Sequence, residues 1–165
     1  MVAAVLAVAS AATTAYWTAG GSLLLDTVGG AMESLARERS AGAVLLGAAV
    51  VGAKLVAAFL AAGLLRTRSR LARVLAGLAG GLLTLWGGAN VLLGGAVLTG
   101  VLDLGEVADE RALRWHVLLW DAWFLVWGLA LLTSVVLTSE RWGQRGGAVE
   151  PVSYTHLTLP TNREV

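Results

Sequence analysis

The 165-residue sequence contains no cysteine, which excludes disulfides, cysteine-ligated metals and thiol redox chemistry. Charged residues are scarce: they make up 14% of the chain, against about 25% in a typical soluble domain. Hydrophobic residues make up 57% and the mean hydropathy is +0.75, a balance typical of membrane proteins. The formal net charge of +1 offers no basic surface for nucleic acid. The composition therefore indicates the lipid bilayer as the partner.

Proline is absent from residues 1–150 and occurs only as Pro151 and Pro160. The run Val152 to Thr161, VSYTHLTLPT, resembles one translated reading frame of a common transposase sequencing adapter. We therefore leave residues 152–165 out of the arguments about fold and site, because such segments do not belong to the folded protein. The sequence predicts a disordered tail over residues 146–165, and we expect the natural C-terminus to differ.

Four apolar segments each have the length of about 20 residues that a helix needs to cross a bilayer. They run over residues 2–25, 41–65, 71–102 and 115–138, within a single domain of residues 1–145. The sequence therefore predicts an all-α fold, an integral membrane bundle of four transmembrane helices. A cleaved signal peptide is the alternative for the first segment, although a basic n-region is missing. The third segment exceeds one span, so we expect it to tilt or to fray at its end.

The distribution of arginine predicts the orientation, because cytoplasmic loops are enriched in basic residues. The loop between the second and third segments, RTRSRLAR, contains four arginines and no acidic residue. If this loop is cytoplasmic, four spans place both termini in the cytoplasm. The high content of arginine and alanine is typical of a GC-rich bacterial gene, so we expect the bacterial cytoplasmic (inner) membrane.

Small residues form stripes along three of the segments. Alanine recurs every four residues in the first and second segments, and glycine pairs recur every seven residues in the third, at 80/81, 87/88 and 94/95. Such stripes allow helix backbones to approach closely within lipid. They predict close packing inside the bundle, and a homo-oligomer through the same faces is the alternative.

Two charged residues lie within apolar segments, where a charge costs about 2.5–3.5 kcal/mol. Lys54 is near the middle of the second segment and Asp121 is in the fourth. At a helical rise of about 1.5 Å per residue, Asp121 lies roughly 10 Å and Lys54 roughly 18–20 Å below the outer end. Because a lysine stem reaches several ångströms toward water, we expect the two to meet in the outer half of the bundle. Further polar and aromatic residues complete an outward-facing candidate site: Asn90, Tyr16, Trp17, Trp120, Trp123 and His116. The two residues either hold the helices in register, or bind a ligand or ion, or make no contact with each other.

Two motifs contain residues of this candidate site. They are Tyr-Trp-x-x-Gly-Gly at residues 16–21, and Trp-Asp-x-Trp-Phe-x-x-x-Gly at residues 120–128. They resemble the small bacterial four-span membrane proteins grouped as DUF3995, a domain of unknown function. The resemblance covers residues 1 to about 140 and implies membrane placement, not a reaction. The chain departs from it at Thr14, where the family commonly has histidine, and at Ala122, where proline often stands. The second departure implies a straighter last helix.

The sequence contains no phosphate loop, metalloprotease, nucleophile-elbow or EF-hand motif. We therefore expect a multi-pass membrane protein that is not an enzyme, without metal or cofactor, whose ligand the sequence does not identify. One alternative is a small oligomeric transporter or channel, proton-coupled through Asp121, because intramembrane carboxylates often relay protons. A second is an accessory subunit of a membrane complex. A membrane enzyme would have only Asp121 and His116 for its chemistry.

Overall fold

The protein folds entirely into helices and turns within the residues that its computed structural model describes, which are 1–63, 69–103, 105 and 107–147, with residues 140–147 as backbone only. The helices are α1 (Val2–Thr18), α2 (Gly30–Glu38), α3 (Ala41–Gly63), α4 (Arg70–Leu98), α5 (Glu110–Trp115) and α6 (Asp121–Gly147). A 3-10 turn, Leu25–Thr27, precedes α2, and a π turn, His116–Trp120, joins α5 to α6.

Among the described residues, three stretches are long and apolar enough to cross a membrane: Ala41–Gly63, Arg70–Leu98 and Glu110–Ser139. Helix α1 is also apolar but has only 17 residues. The outer faces of these helices carry large apolar side chains, such as Phe59 and Leu85, which are 83% and 73% exposed. Apolar surface on this scale is unusual on a monomer in water and suits contact with lipid.

The first predicted segment, residues 2–25, differs most from the helix observed. Helix α1 ends at Thr18, because Gly20 has a φ of +101° and turns the chain. The third segment, predicted to fray near Gly94–Gly100, is helical to Leu98, and Gly100 has a φ of +71°. The predicted loop residues Arg66 and Arg68, and the tail from residue 148 onward, lie outside the described residues.

Helices α4 and α6 form the most extensive interface, and glycine makes it possible. The first member of each glycine pair, at 80, 87 and 94, is buried against the last helix or the turn before it. A Cβ at Gly87 would collide with the backbone of Leu125 and Asp121. The second members face outward, and a Cβ at Gly81 or Gly95 would meet no atom within 4 Å. One face of α4 therefore carries the close approach.

Helices α1 and α3 form the second interface, and α1 also contacts α6. The first half of α1 buries the alanines at 3, 7 and 11, which pack near Ala58 and Ala61 of α3. The larger members of this core are Trp127 and Leu131, which are 3% and 1% exposed. The alanine stripe predicted for α3 is only partly buried, because Ala49 and Ala53 are exposed. The second half of α1 is more polar and leads to the candidate site.

Candidate functional site

The first sequence motif forms the turn that ends α1. The ring of Tyr16 packs directly over Gly21, where no side chain larger than hydrogen would fit. The indole of Trp17 donates a hydrogen bond to the carbonyl oxygen of Leu23, at 2.9 Å. The guanidinium of Arg39 lies against Gly20 and donates to the carbonyl oxygen of Ala19, at 3.1 Å. The two glycines are needed because an aromatic ring and a guanidinium occupy the space beside them.

The second motif begins at the π turn, which brings His116 and Asp121 together. Residues five apart lie about 140° apart around a regular α-helix. In this turn the backbone N–H of Asp121 donates to the carbonyl oxygen of His116, and this wider turn puts both residues on one face. Nδ1 of His116 then lies 3.0 Å from Oδ2 of Asp121, which is 6% exposed. The straight last helix implied by Ala122 is therefore preceded by a local distortion.

Three consecutive residues before α2 are bound to the segment that leads into α6, and we call this set of contacts the latch. The contacts are Asp26 with Arg111 at 2.7 Å, Thr27 with Trp120 at 3.1 Å, and Val28 with His116 at 2.9 Å. The ion pair is exposed, whereas Thr27 is fully buried and accepts from the indole N–H. The latch fixes the start of α2 to the last helix.

The contacts of His116 determine where one proton lies. Nε2 faces the carbonyl oxygen of Val28, which can only accept a hydrogen bond, so Nε2 must carry a hydrogen. Nδ1 faces a carboxyl oxygen, and two lone pairs at 3.0 Å would repel each other. A hydrogen bond between these two atoms therefore needs a hydrogen on Nδ1 or on the carboxyl oxygen.

Lys54 does not pair with Asp121, contrary to the sequence prediction, because His116 already occupies the carboxylate. Nζ of Lys54 instead donates to the hydroxyl of Thr14 at 2.7 Å and to the carbonyl oxygen of Ser10 at 3.4 Å. The same ammonium lies 5.9 Å from the centre of the Phe124 ring. Its partners in the described part of the chain are thus neutral groups.

A cavity of about 400 Å³ lies between α1, α2, α3 and the start of α6. Helix α2 lines it through Met32, Leu35 and Ala36, at the i, i+3, i+4 spacing of a helix stripe, and Arg39 lines it just after the helix ends. The cavity extends along α3 from Ala43 to Lys54, which is about 16 Å at 1.5 Å per residue. Its walls are mainly apolar and aromatic.

The charge around this cavity has one sign. Lys54 and Arg39 both line it, and no aspartate or glutamate does so among the described residues. The hydroxyl-bearing residues of the wall all come from α1: Ser10, Thr13, Thr14 and Thr18. The nearby acid Asp121 is not part of the wall, because His116 stands in front of it. The threonine hydroxyls donate to carbonyl oxygens of α1 itself, so a group that enters the cavity meets cations and hydroxyl oxygens.

The residues predicted from the sequence fall into three groups. Those lining the cavity are Lys54, Trp17, Trp120, Trp123 and His116. Asp121 lies behind His116 and supports it. Tyr16 and Asn90 do not reach the cavity: Tyr16 packs on the turn after α1, and the Asn90 amide donates to Trp86 of its own helix at 2.8 Å. The sequence reasoning missed Thr14, Arg39 and Phe124.

One pattern could have found part of this missing set. Ser10, Thr14 and Thr18 recur every four residues and so place hydroxyls along one face of α1. The i, i+3, i+4 spacing of Met32, Leu35 and Ala36 is a signal of the same kind for α2, and it predicts an amphipathic helix without marking a cavity. Trp123, which was predicted as a site residue, also has a packing role: its indole donates to the carbonyl oxygen of Leu6 at 3.2 Å.

The fold and the site together define a class: an all-helical protein, within its described residues, with helices long and apolar enough to cross a membrane and a partly open cavity beside its last helix. Comparisons of the chain with protein-family models, with curated proteins and with solved structures return no match. The resemblance to DUF3995 stays a prediction from the two motifs.

Proposed function

We propose that this chain is a non-enzymatic, multi-pass membrane protein that binds a small amphipathic molecule in the cavity under α2. The observation that carries the proposal is the cavity itself, about 400 Å³ of mainly apolar and aromatic walls with few polar groups. Small-molecule sites have about 300–1,000 Å³ and this composition, with a few placed polar groups that orient the ligand. Here Lys54 is the polar group that is placed to orient the ligand.

The route of entry supports an amphipathic ligand. Three residues of the cavity wall on α3, Val44, Leu46 and Val50, are 39%, 48% and 38% exposed, so the cavity communicates with the outer face of the bundle. On a membrane-spanning helix that face meets lipid. A molecule dissolved in the bilayer could then enter sideways without crossing water.

The membrane arrangement is part of the proposal. The 17 residues of α1 match the lower limit of about 17–25 residues for a span, and α1 packs against α3 as a neighbouring span would. Four spans with a cytoplasmic arginine-rich loop place both termini in the cytoplasm and α2 at the outer surface of a bacterial cytoplasmic membrane.

Quenching of tryptophan fluorescence tests the cavity directly, because Trp17, Trp120 and Trp123 line it. Purified protein in micelles is titrated with an alkyl amphiphile brominated along its chain, which quenches indoles that it contacts. We expect saturable quenching, and roughly tenfold weaker binding in Val50→Phe, because a ring placed in occupied space costs about 1–3 kcal/mol.

The matched control is Val56→Phe, the same change on the same helix at a residue that is 61% exposed and does not line the cavity. Trp86, which is 60% exposed, contributes the same non-specific quenching to both variants. Quenching that rises without saturation, and equally in both variants, would show that no amphiphile binds in the cavity.

Single cysteines test the orientation, since the natural sequence already lacks them. A membrane-impermeant maleimide applied to intact cells should label Ser34→Cys on α2 and Asp103→Cys after α4. It should label Ser139→Cys near the end of α6 only after the cells are permeabilised. The opposite pattern would reverse the proposed orientation.

A second candidate function is proton-coupled transport through Asp121, and the proton held between Asp121 and His116 favours it. A proton site that touches a ligand cavity is the arrangement such coupling needs. Proteoliposomes with an entrapped pH dye provide the test: we expect proton flux down an imposed gradient, lost in Asp121→Asn. Flux no faster than in empty vesicles would exclude this candidate and leave the binding function intact.

A further inference from the structure

Lys54 lines the cavity without a charged partner among the described residues. Its ammonium has three N–H donors, and its partners among the described residues are one hydroxyl, one distant carbonyl and one aromatic ring. Charges removed from water in proteins are normally paired with a charge of opposite sign. Lys54 is partly buried, and it forms no ion pair with an acid among the described residues; one oxygen of Asp121, the buried acid of the last-helix motif, faces His116 instead. An anion bound in the cavity would therefore be the charged partner of Lys54.

Arg39 does not compete for the same anion. It stands fifteen positions before Lys54, which corresponds to about 22 Å along a helix such as α3. Its guanidinium already donates to the carbonyl oxygen of Ala19 and packs on Gly20, at the exposed end of α2. A cation there attracts an anion toward the cavity, while the ammonium of Lys54 is placed to bind it.

The size of the cavity limits the number of alkyl chains that the ligand can carry behind its anionic group. About 400 Å³ is at the lower end of the range of about 300–1,000 Å³ for small-molecule sites, which suits one alkyl chain better than two. The wall along α3 beyond Lys54 is apolar, through Val50 and Leu46, and it opens toward lipid. A chain can lie along this wall with its head at Lys54.

We infer that the cavity binds a single-chain carboxylate of the fatty-acid class, with the carboxylate bound by the Lys54 ammonium and the chain along α3. This inference rests on the proposed function and specifies its ligand. The charge complementarity supplies the choice of head group: the wall has two cations and no acid among the described residues. A cationic head would leave Lys54 unpaired.

Native mass spectrometry of the detergent-solubilised full chain tests this, with four probes titrated separately: hexadecanoate, hexadecanol, hexadecyltrimethylammonium and dipalmitoyl phosphatidylglycerol. We expect hexadecanoate to bind about 30-fold more tightly than hexadecanol, the loss typical when one partner of a buried charge pair is absent. In Lys54→Met that preference should disappear, while Lys54→Arg retains part of it and Arg39→Gln changes it little.

Binding of hexadecanol by Lys54→Met at the wild-type level shows that this variant is folded. Equal binding of hexadecanol and hexadecanoate by the wild type would overturn the carboxylate inference and leave the binding function standing. Tighter binding of phosphatidylglycerol than of hexadecanoate would overturn the single-chain assignment. Failure of every probe to bind would overturn both the inference and the proposed function.

Discussion

The last helix is held in two different ways on its two sides. Against α4, contact is made by backbone on backbone, and Gly87 and Gly128 leave no space for a side chain. Toward the turn before α2, contact is made by directional hydrogen bonds from Trp120 and His116, and a cavity remains beside them. We call these the closed side and the latch side.

The difference teaches where this fold can change. In lipid, apolar burial does not drive helices together, so close van der Waals packing and buried hydrogen bonds carry the stability. The closed side uses the first kind of contact and has no alternative arrangement. The latch side uses the second kind, in which a few bonds can open and re-form. A ligand site is therefore expected on the latch side.

The largest effect should follow from breaking the closed side with Gly87→Leu. The Cβ of the new side chain would overlap backbone atoms of Leu125 and Asp121. We therefore expect the variant to be destabilised by more than about 3 kcal/mol, the upper end of the range for overpacking. The readout is the folded fraction in size-exclusion chromatography after heating in detergent. Gly81→Leu, which would meet no atom within 4 Å, is the control and should behave like the wild type. Equal losses in the two variants would refute the assignment of a closed side.

The next effect concerns the buried part of the latch. His116→Leu removes the bond to Val28 and leaves Asp121 buried without its partner. Removing one partner of a fully buried ion pair lowers the free energy of unfolding by about 3–5 kcal/mol. Since the His116 side chain is 37% exposed, we expect a smaller loss of stability, about 2 kcal/mol.

The double variant His116→Leu with Asp121→Leu provides the control for this prediction. It removes the orphaned carboxyl, so we expect it to be more stable than His116→Leu alone in the same thermal assay. A double variant that loses the sum of the two single losses would mean that the two residues act independently.

A smaller loss is expected for Thr27→Val, which keeps the shape of a fully buried side chain but removes the acceptor of the Trp120 indole. An unsatisfied buried donor costs about 1–3 kcal/mol, and we expect the lower half of this range. Thr133→Val is the control, because Thr133 is exposed and bonds only within its own helix. Limited proteolysis should cut Thr27→Val faster between α1 and α3, where the latch is weakened, and an unchanged cutting rate would contradict the prediction.

The sequence predicted the parts of this molecule that repeat with a regular period. Apolar length located α3 and α4 to within a few residues at the ends that the structure describes, and the seven-residue glycine spacing predicted a close interface. These features depend on local composition, which the bilayer constrains strongly. The sequence could not tell which glycine of each pair faces α6, because both positions are compatible with a helix.

The partners in the candidate site were less predictable, for a geometric reason. Pairing Lys54 with Asp121 assumed regular helices and matched depth alone. The π turn adds one residue and rotates His116 onto the carboxylate, and no residue in the sequence HVLLW marks such a turn. The end of α1 was placed too late because the prediction followed the length of the apolar run, whereas the chain turns at Gly20, which has a positive φ.

The smallest effect is expected at the exposed part of the latch, where it can be compared with the effect of breaking the buried hydrogen bonds. Arg111→Gln breaks the pair with Asp26, whose two side chains are 66% and 44% exposed. Exposed ion pairs contribute about 0–1 kcal/mol, so the thermal midpoint should move little and should move less still in high salt. Since Asp26, Thr27 and Val28 are consecutive, an Arg111→Gln loss as large as that of Thr27→Val would mean that charge attraction, and not the buried hydrogen bonds, holds the latch side together.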